Sequence, residues 1–288
     1  MSLVSRTLKA TLPAAIYVPL RRWATRLLTW KRLMGQVRGA TAVDGFWLWL
    51  SFLLSPISAT SGLSGWRDPV LLHGMVADVP GIGRFRLRPH SDDLWHVAPF
   101  RERVVLECIQ RLLRPGDCFV DAGANIGFYT IGSSRLVGPR GSVLAIEMLP
   151  GAAQIVREHV ELNGASNVLV LEGALSAREN EVIVASVPVG SFGQASIHHI
   201  GDGETVEVRT TTLAVALRDF PTVRLIKIDI EGAELEALKG GESVLDRVQA
   251  IIFEHLDQHA LEQISSLLGS SGFRIDPLDG RNSLAIRL

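Results

Sequence analysis

The stretch CFVDAGANIGFYTIGSS, Cys118–Ser134, reads as a strand, an acid, a tight glycine turn and a helix. The apolar run Cys118–Phe119–Val120 ends on Asp121. The turn is Gly123–Ala124–Asn125–Ile126–Gly127, and helical potential resumes from about Phe128. That succession is the first half of a nucleotide-binding βαβ unit. Glycine is needed where the backbone bends sharply or must approach a ligand closely. The N–H groups at the helix start are then expected to face whatever occupies the turn.

A dinucleotide site would want G-x-G-x-x-G, so that a pyrophosphate can rest on bare backbone. This chain has D-x-G-x-N-x-G, with Asn125 where the middle glycine would fall. Asn tolerates unusual backbone angles but brings donors and acceptors of its own. Asp121, two residues before the first glycine, is placed for a cationic or amino group. A charged amino-acid ligand such as S-adenosylmethionine fits this arrangement better than a pyrophosphate. Outward from the turn, SVLAIEMLP is a second apolar strand, Val143–Ile146, ending on Glu147, 26 residues after Asp121. An acid at the end of the second strand is where a ribose diol is held by paired hydrogen bonds.

VDAGANIGFYT, the later LIKIDIEGAELEALKGG and the closing IIFEH together resemble the FkbM-type S-adenosylmethionine-dependent methyltransferases, over about Arg101 to His255. The resemblance implies a class I methyltransferase fold, with a Rossmann-like α/β seven-stranded sheet, helices on both faces and β-hairpin additions. It also implies, most often, O-methylation. The second strand ends Glu-Met-Leu-Pro where that family usually has Glu-Pro, which leaves the ribose acid in place. TTTLAVAL carries Ala214 where the family usually shows Asp, which puts any role of that Asp in doubt.

The 288 residues suit one large domain with an extension, and 47% apolar content supplies its core. The net charge of −1 argues against general nucleic-acid binding. It also hides a split. Residues 1–60 carry eight basic residues and one acid, Asp44, for +7, and residues 61–288 carry −8. The division expected is a basic, aromatic helical extension at 1–60 and a methyltransferase domain at 61–288, with SATSGLSG, Ser58–Gly65, as linker. The run FWLWLSFLLSPI, Phe46–Ile57, is shorter than the roughly 20 residues needed to span a bilayer. LPAAIYVPL near the start, broken by Pro13 and Pro19, is no convincing signal peptide. Two readings of the extension stay open. It lies on an anionic inner membrane face with Trp23, Trp30, Trp47 and Trp49 as anchors, or it caps the domain or a dimer partner. Cys108 and Cys118 form no disulfide framework, which points to a reducing cytosol.

Between these landmarks the pattern gives a hairpin around PGIG near 70–88 and a helix within Phe100–Leu113. A helix at about 151–163 leads to a third strand, Val168–Leu171, followed by Glu172-Gly173-Ala174. Glu172, the backbone at Ala174 and Met148 after the ribose acid are candidates for the adenine edge. Val182–Val187 and Thr205–Arg209 read as an inserted ribbon, whose loop carries Ser196, His198 and His199. The fourth strand, Val223–Ile228, reaches Asp229 and Glu231, with Lys227 interrupting a run that a central parallel strand would keep apolar. The fifth, Ala250–Phe253, ends on Glu254–His255, and a terminal hairpin follows.

Methyl transfer from a sulfonium needs alignment and a dry cleft, and an alcohol acceptor also needs a group to take its proton. Asp229, Glu231 and His255 are the candidates, and Asp229 and Glu231 could instead hold magnesium with Glu254. The acceptor expected is a glycan, a lipid-linked sugar or another polyhydroxylated metabolite. The alternatives are a non-catalytic S-adenosylmethionine-binding module and, less favoured by Asn125, a nicotinamide-dependent oxidoreductase.

Overall fold

A computed structural model describes residues 14–58, 69–187 and 204–288. The loop residues Ser196, His198 and His199 and most of the expected linker lie outside these. The chain divides into two compact units, residues 1–80 with 86–100, and residues 81–85 with 101–288.

The first unit begins with helix α1 (Ala14–Gln36), the two-residue strand β1 (Arg38–Gly39) and helix α2 (Ala42–Ser58). Asp44 fixes the start of α2. One carboxylate oxygen accepts from the Thr41 N–H and hydroxyl, and the other accepts from the Val76 N–H. Strand β2 (Met75–Val79) pairs antiparallel with β1, and β3 (Gly83–Leu87) completes a three-stranded sheet. The sequence expectation of a hairpin here is met. Trp30, Leu33 and Leu48 are fully buried, and a short helix, α3 (Asp93–His96), follows. Among the described residues no helix is long and apolar enough to cross a membrane.

The second unit carries helix α4 (Arg103–Leu112), β4 (Cys118–Ala122), α5 (Phe128–Val137), β5 (Ser142–Glu147), α6 (Pro150–Asn163) and β6 (Val168–Glu172). Next come β7 (Ala174–Leu175), β8 (Val182–Val187), β9 (Glu204–Thr211), α7 (Leu213–Ala216), β10 (Leu225–Ile228) and α8 (Glu234–Lys239). The chain closes with β11 (Ala250–Glu254), α9 (Gln258–Ser270), β12 (Phe273–Pro277) and β13 (Asn282–Arg287). The main sheet has seven strands in the order β6-β5-β4-β10-β11-β13-β12. β6, β5, β4, β10 and β11 are parallel, and β13 runs antiparallel to both neighbours. This is the seven-stranded, Rossmann-like class I methyltransferase sheet. The order reverses between β4 and β10, where such sheets open a crevice at the carboxyl ends of their strands.

Alternation along the strands assigns the two faces. Val120, Ala122, Leu144, Ile146, Ile226, Ile228, Ile251 and Phe253 pack with Leu213, Leu217, Leu238, Ile264 and Leu268. Helices α7, α8 and α9 therefore cover that face. Ala145 on the opposite face packs with Ala124 and with Val156 of α6. Apolar residues fill both faces because a parallel sheet is covered on both. Asp121 and Lys227 on the opposite face are the exceptions, and they mark the site.

Candidate active site

The register places Lys227 directly opposite Asp121 on adjacent parallel strands. Both side chains are almost completely buried. Lys227 Nζ lies 3.1 Å from Asp229 Oδ2 and 5.0 Å from the centre of the Tyr129 ring. A buried ammonium survives only with counter-charges. Burial works against the charged form, yet Asp229 and Asp121 hold the lysine above its ordinary value. Lys227 thus pairs with the acid at the end of its own strand. Asp121 Oδ2 accepts from the Thr130 hydroxyl at 2.6 Å. Its Oδ1 is buried with no hydrogen-bond partner among the described residues. Burial raises the Asp121 carboxyl above its usual value, against the pull of Lys227.

The turn after β4 is held by backbone conformation. Gly123 sits at φ +81°, and a Cβ there would run into the Asp229 carbonyl. Gly127 (φ +82°) opens α5, and Asn125 (φ +52°) is also left-handed, which suits Asn better than most side chains. The N–H groups of Gly123 and Ala124 donate to the Ile146 carbonyl. The Asn125 N–H donates to Glu147 Oε2 at 2.7 Å. These three turn donors are therefore committed to β5 and its acid.

Glu147 Oε1 accepts from the Leu149 N–H at 3.0 Å. A carboxylate has about four lone-pair positions. The backbone donors of Asn125, Leu149 and Met148 leave capacity for a further hydroxyl donor. Burial pushes this carboxyl up to about 7, against the lowering effect of the backbone hydrogen bonds. The orphaned Asp121 oxygen and the residual capacity of Glu147 are the features the ammonium and ribose of S-adenosylmethionine require. The residues present fit that cofactor.

At the ends of β10 and β11 four acids converge. Burial would raise Asp229, but Lys227, the Glu254 hydrogen bond and Arg101 hold it well below the usual carboxylate range. Glu254 shifts the other way, because it is buried and faces the Asp229 charge. The two carboxyls are hydrogen-bonded and shifted in opposite directions, and Arg281 lies 3.0 Å from Glu254. Glu231 has a raised carboxyl through burial and Asp229. Its backbone is left-handed (φ +54°), a strained conformation for Glu that is found mostly where function or surrounding structure demands it. Glu234 supplies the restraint, its Oε1 accepting from the N–H groups of Ile230 and Gly232 at 3.0 and 3.1 Å. His255 is buried, with its ring 6.4 Å from that of Phe253, and its N–H donates to the Arg281 carbonyl.

The remaining expected residues separate from this cluster. Glu172 is exposed and pairs with Arg157 at 3.5 Å, a salt bridge across α6 and β6. Ala174 is buried with Leu149, Ala152, Ala185 and Val208, and Met148 packs on the same group. Ala124 packs with Ala145 and Val156. Ala214 lies in α7, where its N–H donates to the Gly240 carbonyl. The expected magnesium set does not fit, because Asp229 is engaged by Lys227 and Glu254 by Arg281. Among the described residues no three His, Cys, Asp or Glu side chains converge to hold a metal. Sequence reasoning missed Thr130, Tyr129, Glu102, Arg101 and Glu234. Tyr129 donates to Glu102 at 2.7 Å, and Arg101 pairs with Glu102 at 3.0 Å. Glu234 carried a signal, since an acid at the first turn of a helix is placed to hold backbone donors before it.

The methyltransferase FkbM domain model matches residues 121–275. The hexuronic acid methyltransferase AglP of Haloferax volcanii is 25% identical over 182 residues, 62% of this chain and 73% of AglP. Methyltransferase 1 of Beauveria bassiana is 26% identical over 208 residues, 64% of this chain and 78% of its own length. A methyltransferase FkbM structure from Methylobacillus flagellatus aligns with a TM-score of 0.42 at 20% identity, covering 67% of this chain and 53% of that one.

Proposed function

The chain belongs to the FkbM methyltransferase family and is an S-adenosylmethionine-dependent methyltransferase, and we propose from that premise that its acceptor is a neutral hydroxyl on a glycan, lipid-linked sugar or other polyhydroxylated metabolite. The observation that carries the reading is the convergence of Asp229, Glu231 and Glu254 at the ends of β10 and β11. A carboxylate acceptor is already a nucleophile and needs no base. A hydroxyl needs a proton acceptor, which an ionised carboxylate in this cluster can supply. The name of AglP supports a sugar-class acceptor, and a hexuronic acid offers a carboxyl as well as hydroxyls, which the stability of the methylated product to alkali distinguishes.

S-adenosylmethionine supplies a methyl group already activated by a sulfonium. The protein contributes binding, alignment and a path for the proton. In this reading Asp121 takes the cofactor's ammonium on its unpartnered oxygen. Glu147 would accept from the ribose hydroxyls, with the Met148 backbone beside them. Asp229, kept ionised by Lys227, accepts the acceptor's proton as the new C–O bond forms. A protonated ether is a strong acid, so a carboxylate of low pKa suffices. Glu254 and Glu231 shape the field around that carboxylate. His255 is the alternative proton acceptor.

The test is Asp229→Asn, which keeps the shape and removes the charge. Methyl transfer to polyhydroxylated acceptors should fall by roughly 10²-fold or more, with S-adenosylmethionine affinity changed much less. Turnover equal to that of the wild type would move the role to His255 or leave the reaction to positioning alone.

A further inference from the structure

A helix with one face on a protein core normally turns a polar face to water. Helix α2 does not. Leu48, Ser51 and Ser55 form its buried side. On the opposite side Val43, Phe46, Trp49 and Leu53 are 65%, 52%, 49% and 51% exposed. At about 100° per residue the four fall within one stripe, about 15 Å long. The helix has a single charged residue, Asp44, and its carboxylate is taken up by Thr41 and Val76. The chain before Asp44 holds eight Lys and Arg and no acid. Trp23 and Leu28 of α1 are also exposed, and so are Lys31, Arg32 and Arg38.

We propose that the exposed stripe of α2, together with the basic residues of the same unit, docks this enzyme onto an anionic lipid surface with α2 lying in the interface plane. Three observations choose this occupant. The stripe pairs aromatic and aliphatic side chains with an acid-free basic segment, the combination that an anionic leaflet attracts by both burial and charge. Trp is the side chain that settles at a membrane interface. The helix is 17 residues long, too short to span and long enough to lie flat. A second copy of the chain offers the same α2 stripe, but pairing the two stripes would bring two acid-free basic segments together. Among the described residues, the exposed large apolar side chains of the second unit form no comparable helical stripe, and only Val182 and Val184 share an element. Docking would place the enzyme where lipid-linked acceptors reside, but the inference does not depend on the acceptor.

The experiment is flotation of the full chain with mixed phosphatidylcholine–phosphatidylglycerol vesicles, against phosphatidylcholine alone. The protein should float with the anionic vesicles. It should float less as salt rises from about 0.1 M to about 1 M, where the screening length drops from about 10 Å to about 3 Å. Phe46→Glu with Trp49→Glu should abolish flotation while thermal unfolding and S-adenosylmethionine binding stay as in the wild type. If that variant does not fold, Lys31→Glu with Arg38→Glu decides. Each basic residue near an anionic leaflet is worth roughly fivefold in partition, so this variant should lose roughly 25-fold or more. Failure of the wild type to float at low salt overturns the proposal, as does flotation unchanged in a folded variant. A wild-type dimer that Trp49→Glu splits, with no flotation, would assign the stripe to a second copy and overturn it as well.

Discussion

Replacing Lys227 by Met removes the cation between Asp121 and Asp229 and leaves the fold's shape nearly unchanged. Opposite charges 3.1 Å apart attract by about 5 kcal/mol at an effective dielectric near 20. Desolvation of the lysine offsets part of that in the wild type. In the variant the two acids remain without it, and losing one member of a buried pair costs about 3–5 kcal/mol. The Asp229 side chain is still 22% exposed, so water screens it and the lower end applies. A loss of about 3 kcal/mol should lower Tm by about 6–12 °C. The pH dependence has a definite sign. In the wild type Asp229 is held below its ordinary 3.8, so its contribution is present above that value and fades as pH falls through the folded one. In the variant Asp229 and Asp121 both shift upward, so it regains stability on acidification. The gap between the two proteins should therefore narrow from neutral pH toward pH 4. Urea unfolding across that range measures it. A gap below about 1 kcal/mol at neutral pH, or one that does not change with pH, would refute the assignment of Lys227 as their counter-ion.

Glu147→Gln should weaken S-adenosylmethionine binding by about 1–3 kcal/mol in calorimetry. Wild-type affinity should rise as pH climbs through about 7, since the ionised carboxylate is the better diol acceptor, and the variant should lose that dependence. Flat wild-type affinity would remove Glu147 from the site. The same raised carboxyl contributes stability that is full below its ordinary 4.5 and is lost as pH rises through about 7. Thermal unfolding of Glu147→Gln should therefore vary less with pH over that window. Gly123→Ala forces a side chain into the Asp229 carbonyl at a left-handed position, whereas Gly164→Ala is left-handed in open space. The second should cost about 1–2 kcal/mol, and the first should cost more and abolish cofactor binding. Equal thermal shifts would mean that the two loops do not touch.

Much of the site could be read from the chain because its residue types are out of place in buried parallel strands. An acid at Asp121 or Glu147, a lysine at Lys227 and glycines at Gly123 and Gly127 each interrupt an apolar pattern at a strand end. The strand ends themselves followed from short apolar runs that stop at an acid, and a helix before them from its three-to-four-residue periodicity. The partners could not be read this way. Thr130 reaches Asp121 because one turn of α5 lies over β4, and Arg281 reaches Glu254 because the terminal hairpin pairs with β11. The packing of α5 on its own strand sets the first and strand pairing the second, and no local spacing encodes either. The commitment of the turn N–H groups to Ile146 and Glu147 depends in the same way on how β4 and β5 align. Glu172, at a strand end on the edge of the sheet, meets Arg157, a partner that no local spacing announced.

The account turns on methyl transfer to a neutral hydroxyl. Its most direct test is to supply S-adenosylmethionine labelled in the methyl group with polyhydroxylated sugars and treat the labelled product with mild alkali. An ether survives that treatment, and a methyl ester is released as methanol. The account predicts alkali-stable label on a sugar, formed by the wild type and nearly absent with Asp229→Asn. Label released as methanol, carried on an amine, or never transferred to any sugar would contradict it.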